Sequence, residues 1–360
     1  MIIAGLLGFL LVVYLIIGSG AADVAHAMLT VGWWLIPITL FHLVPLTFSA
    51  LSWRELIPSA RRLDAVTAIW IRWIRESINS LLPVASIGGD VASIRLAYLR
   101  GVPASQATAS MVVDTTVGVL TQLVFVLSGV GLLLMRSTEH DALVVAGMVT
   151  VGTAILLVAI AAFVLFQHRG LFVAFAKFGR HLLPERWLSG FAEHASTIDD
   201  AVIAAYRSGR VMLRANVLRL IGWAVGTGEV WLVMQGLGHP IGMLDAFILE
   251  SLGSGVRAAA FMVPGALGAL EGGFVLFGAL FGLQADTALA ISLSKRVREL
   301  ALGLPGLSVW HWIEGHYLLR RSTRTHADQG SSSEVNPTPS VGGRHRLTSL
   351  TRVVKIAGGR

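Results

Sequence analysis

The chain has 360 residues, 54% of them apolar and only 14% charged, with a mean hydropathy of +0.72. A water-soluble domain carries about 25% charged residues, so this composition excludes a pair of soluble domains and points to an integral membrane protein. The absence of cysteine excludes disulfides, thiolate metal sites, cysteine nucleophiles and S-palmitoylation. The net charge is +7, and residues 320–360 hold eight Lys/Arg against two Asp/Glu. The basic pI therefore describes a C-terminal tail, not a nucleic-acid-binding surface.

In chain order, Ile2–Ile17 is apolar and about long enough to cross a bilayer. No Lys or Arg precedes Arg54, so the basic n-region of a signal peptide is missing and a retained first helix is expected. Further spans are expected at 31–50, 111–135, 142–166, about 215–235 and about 301–319. Two other apolar stretches, 65–90 and 246–273, are interrupted by charge, Pro and Gly. Backbone that leaves helical geometry at membrane depth must be covered by protein or line a wet cavity. Both stretches are expected to be broken or re-entrant segments, with a plain transmembrane hairpin as the competing reading. Arg54, Arg61 and Arg62, the Lys/Arg of 167–214 and the basic tail fall in alternate connections. The positive-inside bias then puts both termini in the cytoplasm. Aromatic and basic residues mixed over 167–214 suggest helices lying in the interface.

The two broken stretches share a pattern. Pro83-Val-Ala-Ser-Ile-Gly-Gly-Asp90 places an acid seven positions after its proline, and Pro264-Gly-Ala-Leu-Gly-Ala-Leu-Glu271 does the same 181 residues later. At that offset Leu99/Leu280, Gly101/Gly282 and Ala104/Ala285 also coincide. The charge bias makes the corresponding spans run in opposite directions, which is an inverted-topology repeat. The expected fold is an all-α polytopic transmembrane bundle over 1–320. Its halves would be about 1–140 and 141–320, followed by a disordered basic tail at 321–360.

Ionisable groups in hydrocarbon cost about 2.5–3.5 kcal/mol each on insertion scales, so they tend to face an interior and find partners. Arg72, Arg75, Glu76, Asp90, Asp114, Glu229, Glu250, Arg257, Glu271, Lys295, Arg296, Arg298 and Glu299 are in this position. Arg72 and Glu76 have the spacing of a helical ion pair. Asp114 and Lys295 are equivalent in the repeat, which suggests that they or their neighbours pair across it. Arg suits a lipid phosphate because its planar fork donates two hydrogen bonds at once. Asp90 and Glu271 are the leading candidates for a functional role, with Gly88, Gly89 and Gly268 allowing close backbone approach.

No HExxH, P-loop or G-x-S-x-G motif occurs. No metal or other cofactor is indicated. The histidines, His42 among them, are scattered and read as packed or interfacial.

Asn79 to Asp90, the Arg95-to-Gly101 run and 107–114 resemble the transmembrane region of the lysylphosphatidylglycerol synthase family, also called flippase-like membrane proteins. Pro264 to Gly273 resembles its second signature. Phe41-His-Leu-Val-Pro45, Trp53-Arg54 and the 70–79 run look closest to the hopanoid-biosynthesis-associated bacterial branch. The resemblance implies a bacterial inner-membrane protein that handles lipid. It carries over Asn79, Pro83, Gly88, Gly89, Asp90, Pro264, Gly268 and Glu271 as positions at issue. About 40 polar residues follow the last expected span, too few for the aminoacyltransferase domain of bifunctional members.

The leading reading is a translocase or transport component for a hopanoid, polyprenoid or phospholipid, with membrane lipids as partners and no nucleic acid. Its expected lipid contacts are Arg72, Arg75, Glu76, Asn79, Pro83, Gly88, Gly89, Asp90, Asp114, Arg257, Pro264, Gly268, Glu271 and Lys295. Two rivals stay open. One is a membrane enzyme acting on lipid headgroups. The other is a scaffold that recruits lipid-biosynthesis enzymes through the tail and the 167–214 helices.

Overall fold

A computed structural model describes residues 21–82, 87–135, 185–260, 263 and 266–333. The expected spans at 2–17 and 142–166, together with Pro83, Pro264, residues 167–184 and the tail beyond 333, lie outside the described residues. Among the described residues all regular structure is helical, with no strand. The chain divides into two units, Met1–Trp310 and His311–Arg360. Every cluster described below lies in the first.

Helices α1 (Ala21–Val31), α2 (Leu35–Phe41) and α3 (Leu43–Leu56) follow one another with only a 3₁₀ turn at Gly32–Trp34 and a break at His42. Pro45 causes that break, because it has no N–H to give the Phe41 carbonyl. Leu46 resumes the ladder by donating to the His42 carbonyl at 3.2 Å. Next come α4 (Ala65–Leu81), α5 (Ile87–Leu99) and α6 (Ala104–Leu134). The Asp64 carboxylate caps α4 by accepting from the Thr67 N–H at 2.9 Å. These hydrogen bonds from Thr67 hold the Asp64 carboxyl below its ordinary pKa. After the undescribed stretch come α7 (Glu185–Arg207), α8 (Gly209–Gly236), α9 (Met243–Ala259), α10 (Ala269–Ala279) and α11 (Ala285–Ser333).

Among the described residues, three helical stretches are long and apolar enough to cross a membrane: Ala25–Leu56, Ala104–Leu134 and Gly209–Gly236. They contain the expected spans at 31–50 and 215–235 and nearly all of that at 111–135, each extended by a turn or more. The expected last span, 301–319, is instead an inner part of α11, and α11 is not one of the three. Charges at 295–299 on one side and His311, Glu314 and His316 on the other dilute its apolar run. Each of the two interrupted stretches is split between two helices, α4 and α5 in the first and α9 and α10 in the second, as a broken segment or a hairpin would be.

The bundle is inverted relative to a soluble protein. Leu29 is 79% exposed and Trp33 69%, while Asp114 and Glu271 are each 1% exposed. Apolar side chains face outward where lipid would be, and the ionic groups are inside. A buried apolar core still joins the helices, with Val31, Ile38, Met234, Leu249, Phe274 and Ile291 in one cluster. In the described part of the 167–214 connection, Ile198 and Val202 of α7 pack against Leu56, Val113 and Ala215.

α3 and α8 pack antiparallel. Ser52 Oγ donates to the Ala215 carbonyl at 2.8 Å. Further along, Gly222 meets Pro45, Gly228 meets Phe41 and Gly236 meets Trp34. A Cβ on Gly228 would lie 2.6 Å from the Phe41 ring, so only glycine lets the helices come this close. α6 and α11 begin at Ala104 and Ala285, the offset of the sequence pattern. Gly101 (φ +90°) and Gly282 (φ +70°) precede them in the left-handed conformation that glycine adopts without strain.

Candidate functional site

Asp114 lies ten residues into α6, about 15 Å along the helix at 1.5 Å per residue. Its Oδ2 accepts from Arg72 Nη1 at 2.7 Å and Arg75 Nη1 at 2.9 Å, and its Oδ1 accepts from Arg219 Nη2 of α8. Arg72 and Arg75 reach one carboxylate because residues three apart share a helix face. Arg75 also donates from Nε to Asp90 Oδ1 at 2.5 Å, which ties α4 to the first turn of α5. Arg219 Nη1 donates to Ser49 Oγ, while its buried Nε has no hydrogen-bond partner. Three guanidinium groups thus surround two carboxylates. Asn79, one turn beyond Arg75, accepts from the Gly89 N–H at 2.9 Å. A Cβ on Gly89 would lie 2.4 Å from the Arg75 carbonyl oxygen, so this crossing requires glycine.

The other side of α4 carries Glu76 into a second cluster. His42 Nε2 lies 2.8 Å from Glu76 Oε1, and His42 Nδ1 contacts Glu229 Oε1. Arg298 Nη1 of α11 lies 2.5 Å from Glu229 Oε2 and 2.6 Å from His42 Nδ1. Lys295, one turn earlier, donates to Glu250 Oε2 of α9 at 2.6 Å and lies 3.8 Å from Glu229. Glu299 receives Arg257 Nη2 at 2.8 Å and Arg296 Nη1 at 3.1 Å. Arg296 Nε reaches Glu271 Oε1 at 2.9 Å. The other Glu271 oxygen accepts from the Gly268 N–H at 2.8 Å and caps α10. Gly268 holds φ +76° there.

Two cavities of about 310 Å³ each open among these groups. Arg72, Arg75 and Arg219 line one. Glu229, Glu250, Arg257, Lys295, Arg298 and Glu299 line the other. They share a wall that includes His42, Pro45, Glu76, Asn79, Gly222 and Trp223. Glu76 lines both cavities, and 42% of its side chain is accessible. His42 stands near the middle of the span Ala25–Leu56, roughly 20–25 Å from either end at 1.5 Å per residue. Among the described residues no group of His, Asp and Glu has the arrangement of a metal site.

A chain with charged cavities inside three apolar spans is a multi-pass membrane protein. Its residues 1–306 match the family described as the lysylphosphatidylglycerol synthase TM region. The chain belongs to this family. No curated protein matches it, and no solved structure does. The match takes in every charged residue of both clusters.

The structure brings Arg72, Arg75, Asp90 and Asp114 together in one cluster, and Arg257, Glu271 and Lys295 in the other. Glu76 and Asn79 line both cavities, while Gly89 and Gly268 donate N–H groups to Asn79 and Glu271. Gly88 is the second residue of α5, beside Gly89. Two expected pairings are replaced. Arg72 turns to Asp114 instead of Glu76, because Asp114 offers a fully buried carboxylate and His42 occupies Glu76. Asp114 and Lys295 have separate partners: three arginines for the first, Glu250 and Glu229 for the second.

Sequence reasoning missed Arg219 and gave His42 no role beyond packing. Arg219 lies inside the expected span 215–235, ten residues before Glu229, and two charges in one span are the signal that could have found it. His42 has no local signal except its place three residues before Pro45 in an otherwise apolar run.

Proposed function

We propose that this protein moves a lipid across the membrane, with the polar headgroup passing through the two ionic cavities and the tails remaining in hydrocarbon. The observation that carries this reading is the shared wall. Two charged cavities meet at His42 and Glu76, deep within a bundle whose outer face is apolar. Packing alone does not account for so many buried charges. Replacing a buried ion pair by apolar side chains of similar volume is often neutral, or stabilising by about 1–4 kcal/mol. The clusters instead offer donors and acceptors that can exchange among themselves when a headgroup enters.

The same reading takes the two halves as an inverted repeat. α6 and α11 start 181 residues apart behind left-handed glycines, and the corresponding spans α3 and α8 pack antiparallel. Transporters built this way carry their sites between the halves. Arg72, Arg75 and Arg219 suit a lipid phosphate, whether in a phospholipid or in a phosphorylated polyprenoid; a hopanoid bearing a polar headgroup also remains within this class. The setting is a bacterial inner membrane, with both termini in the cytoplasm.

The test is reconstitution of the full chain in liposomes containing a headgroup-labelled phospholipid. Leaflet exchange should exceed that of protein-free vesicles, and Asp90→Asn and Glu271→Gln should slow it without unfolding the protein. Exchange no faster than in empty vesicles rules the reading out. Chemical conversion of the labelled lipid would favour an enzyme instead.

A further inference from the structure

His42 presents both ring nitrogens to carboxylates, and one of those nitrogens also faces a guanidinium. Two hydrogen-bond donors cannot point at each other, so these contacts belong to two protonation states. When the imidazole is neutral, Nε2–H donates to Glu76 Oε1 and the Nδ1 lone pair accepts from Arg298 Nη1. Glu229 Oε1 then has only a lone pair opposite it. When a proton binds Nδ1, the new N–H donates to Glu229 Oε1 and Arg298 keeps Glu229 Oε2 alone. Glu76, Glu229, Arg298 and the ring together carry −1 in the first state and zero in the second.

We propose that His42 is a proton-binding site in the wall between the two cavities, and that releasing its proton opens the passage between them. The inference rests on the translocation reading for its consequence, but the proton site stands on its own geometry. The protonated ring joins Glu76 of α4 to Glu229 of α8 and closes the wall. The neutral ring sets its Nδ1 lone pair against Glu229 Oε1, and Glu229 turns toward Lys295, 3.8 Å away. The proton comes from and returns to water in the cavities that His42 lines.

Charged groups on each packed element bear on this site. α4 contributes Glu76 with Arg72 behind it, α8 contributes Glu229, and α11 contributes Lys295, Arg298 and Glu299. Glu250 of α9 acts through Lys295.

The experiment uses the full chain in phosphatidylglycerol–phosphatidylethanolamine vesicles, with labelled phosphatidylglycerol as probe. Exchange by the unaltered protein should rise severalfold between pH 6 and 10, and His42→Gln should flatten the profile to less than twofold. Side-chain nitrogen NMR should show one ring signal that titrates in this range and disappears in His42→Gln. If that variant fails to fold, Glu229→Gln replaces it and should move the ring's midpoint to lower pH by about one unit, because an opposite charge has been removed. The same pH profile in the unaltered protein and His42→Gln, or no titrating ring signal from His42, overturns the proposal. If the ring titrates but exchange is absent at every pH, the translocation reading fails and the proton site survives.

Discussion

Substituting Asp114 by Asn keeps its shape and removes the charge that holds three guanidinium groups. At an effective dielectric constant of 20, two unit charges about 4 Å apart attract by about 4 kcal/mol. Part of this is offset, because an ionised carboxylate no longer needs to be kept out of water. Breaking one partner out of a buried pair typically costs about 3–5 kcal/mol. Here the loss also leaves Arg72 with no other ion-pair partner at contact distance among the described residues, whereas Arg75 retains Asp90. The expected loss is about 3–5 kcal/mol, or roughly 6–10 °C in melting temperature at about 2 °C per kcal/mol. The assay is thermal unfolding of the purified chain in detergent or nanodiscs. Combining Asp114→Asn with Arg219→Gln provides the control. Removing a buried cation together with its partner should cost less than the two single changes added, with a coupling of about 1–3 kcal/mol. An unchanged melting temperature for Asp114→Asn, or strict additivity in the double variant, would refute an ion cluster organised around this carboxylate.

Other expectations can be checked on the same preparation. Gly228→Ala places a methyl 2.6 Å from the Phe41 ring and should destabilise by about 1–3 kcal/mol, with partial recovery when Phe41→Leu makes room. Gly89→Ala meets the Arg75 backbone oxygen, which cannot move aside cheaply; it should lower stability and slow exchange, and adding Asn79→Ala should not restore either. Asp64→Ala removes the cap of α4. Because the Asp64 carboxyl is held below its ordinary pKa, its contribution is present above the unfolded value and lost as pH falls through the folded one. The melting temperatures of Asp64→Ala and the unaltered chain should therefore differ at pH 7 and converge below about pH 4. Deleting residues 334–360 should leave leaflet exchange unchanged, and loss of exchange would point to the tail as part of the transport machinery.

Sequence alone established the solvent and the class of structure. A composition with 54% apolar and 14% charged residues cannot stay in water as a folded monomer of this size, and runs of about 20 apolar residues in lipid satisfy their backbone only as helices. The two interruptions were visible for the same local reason, since proline and glycine act on the backbone within one turn. Most buried charges were visible too, because a charge in an apolar run is costly wherever it points. Partner choice was not legible. Whether Arg72 meets Glu76 one turn away or Asp114 on another helix depends on how α4, α6 and α8 cross, and no local spacing encodes that. Arg219 and His42 acquired meaning only when packing surrounded each with opposite charge from helices up to 187 residues distant in sequence.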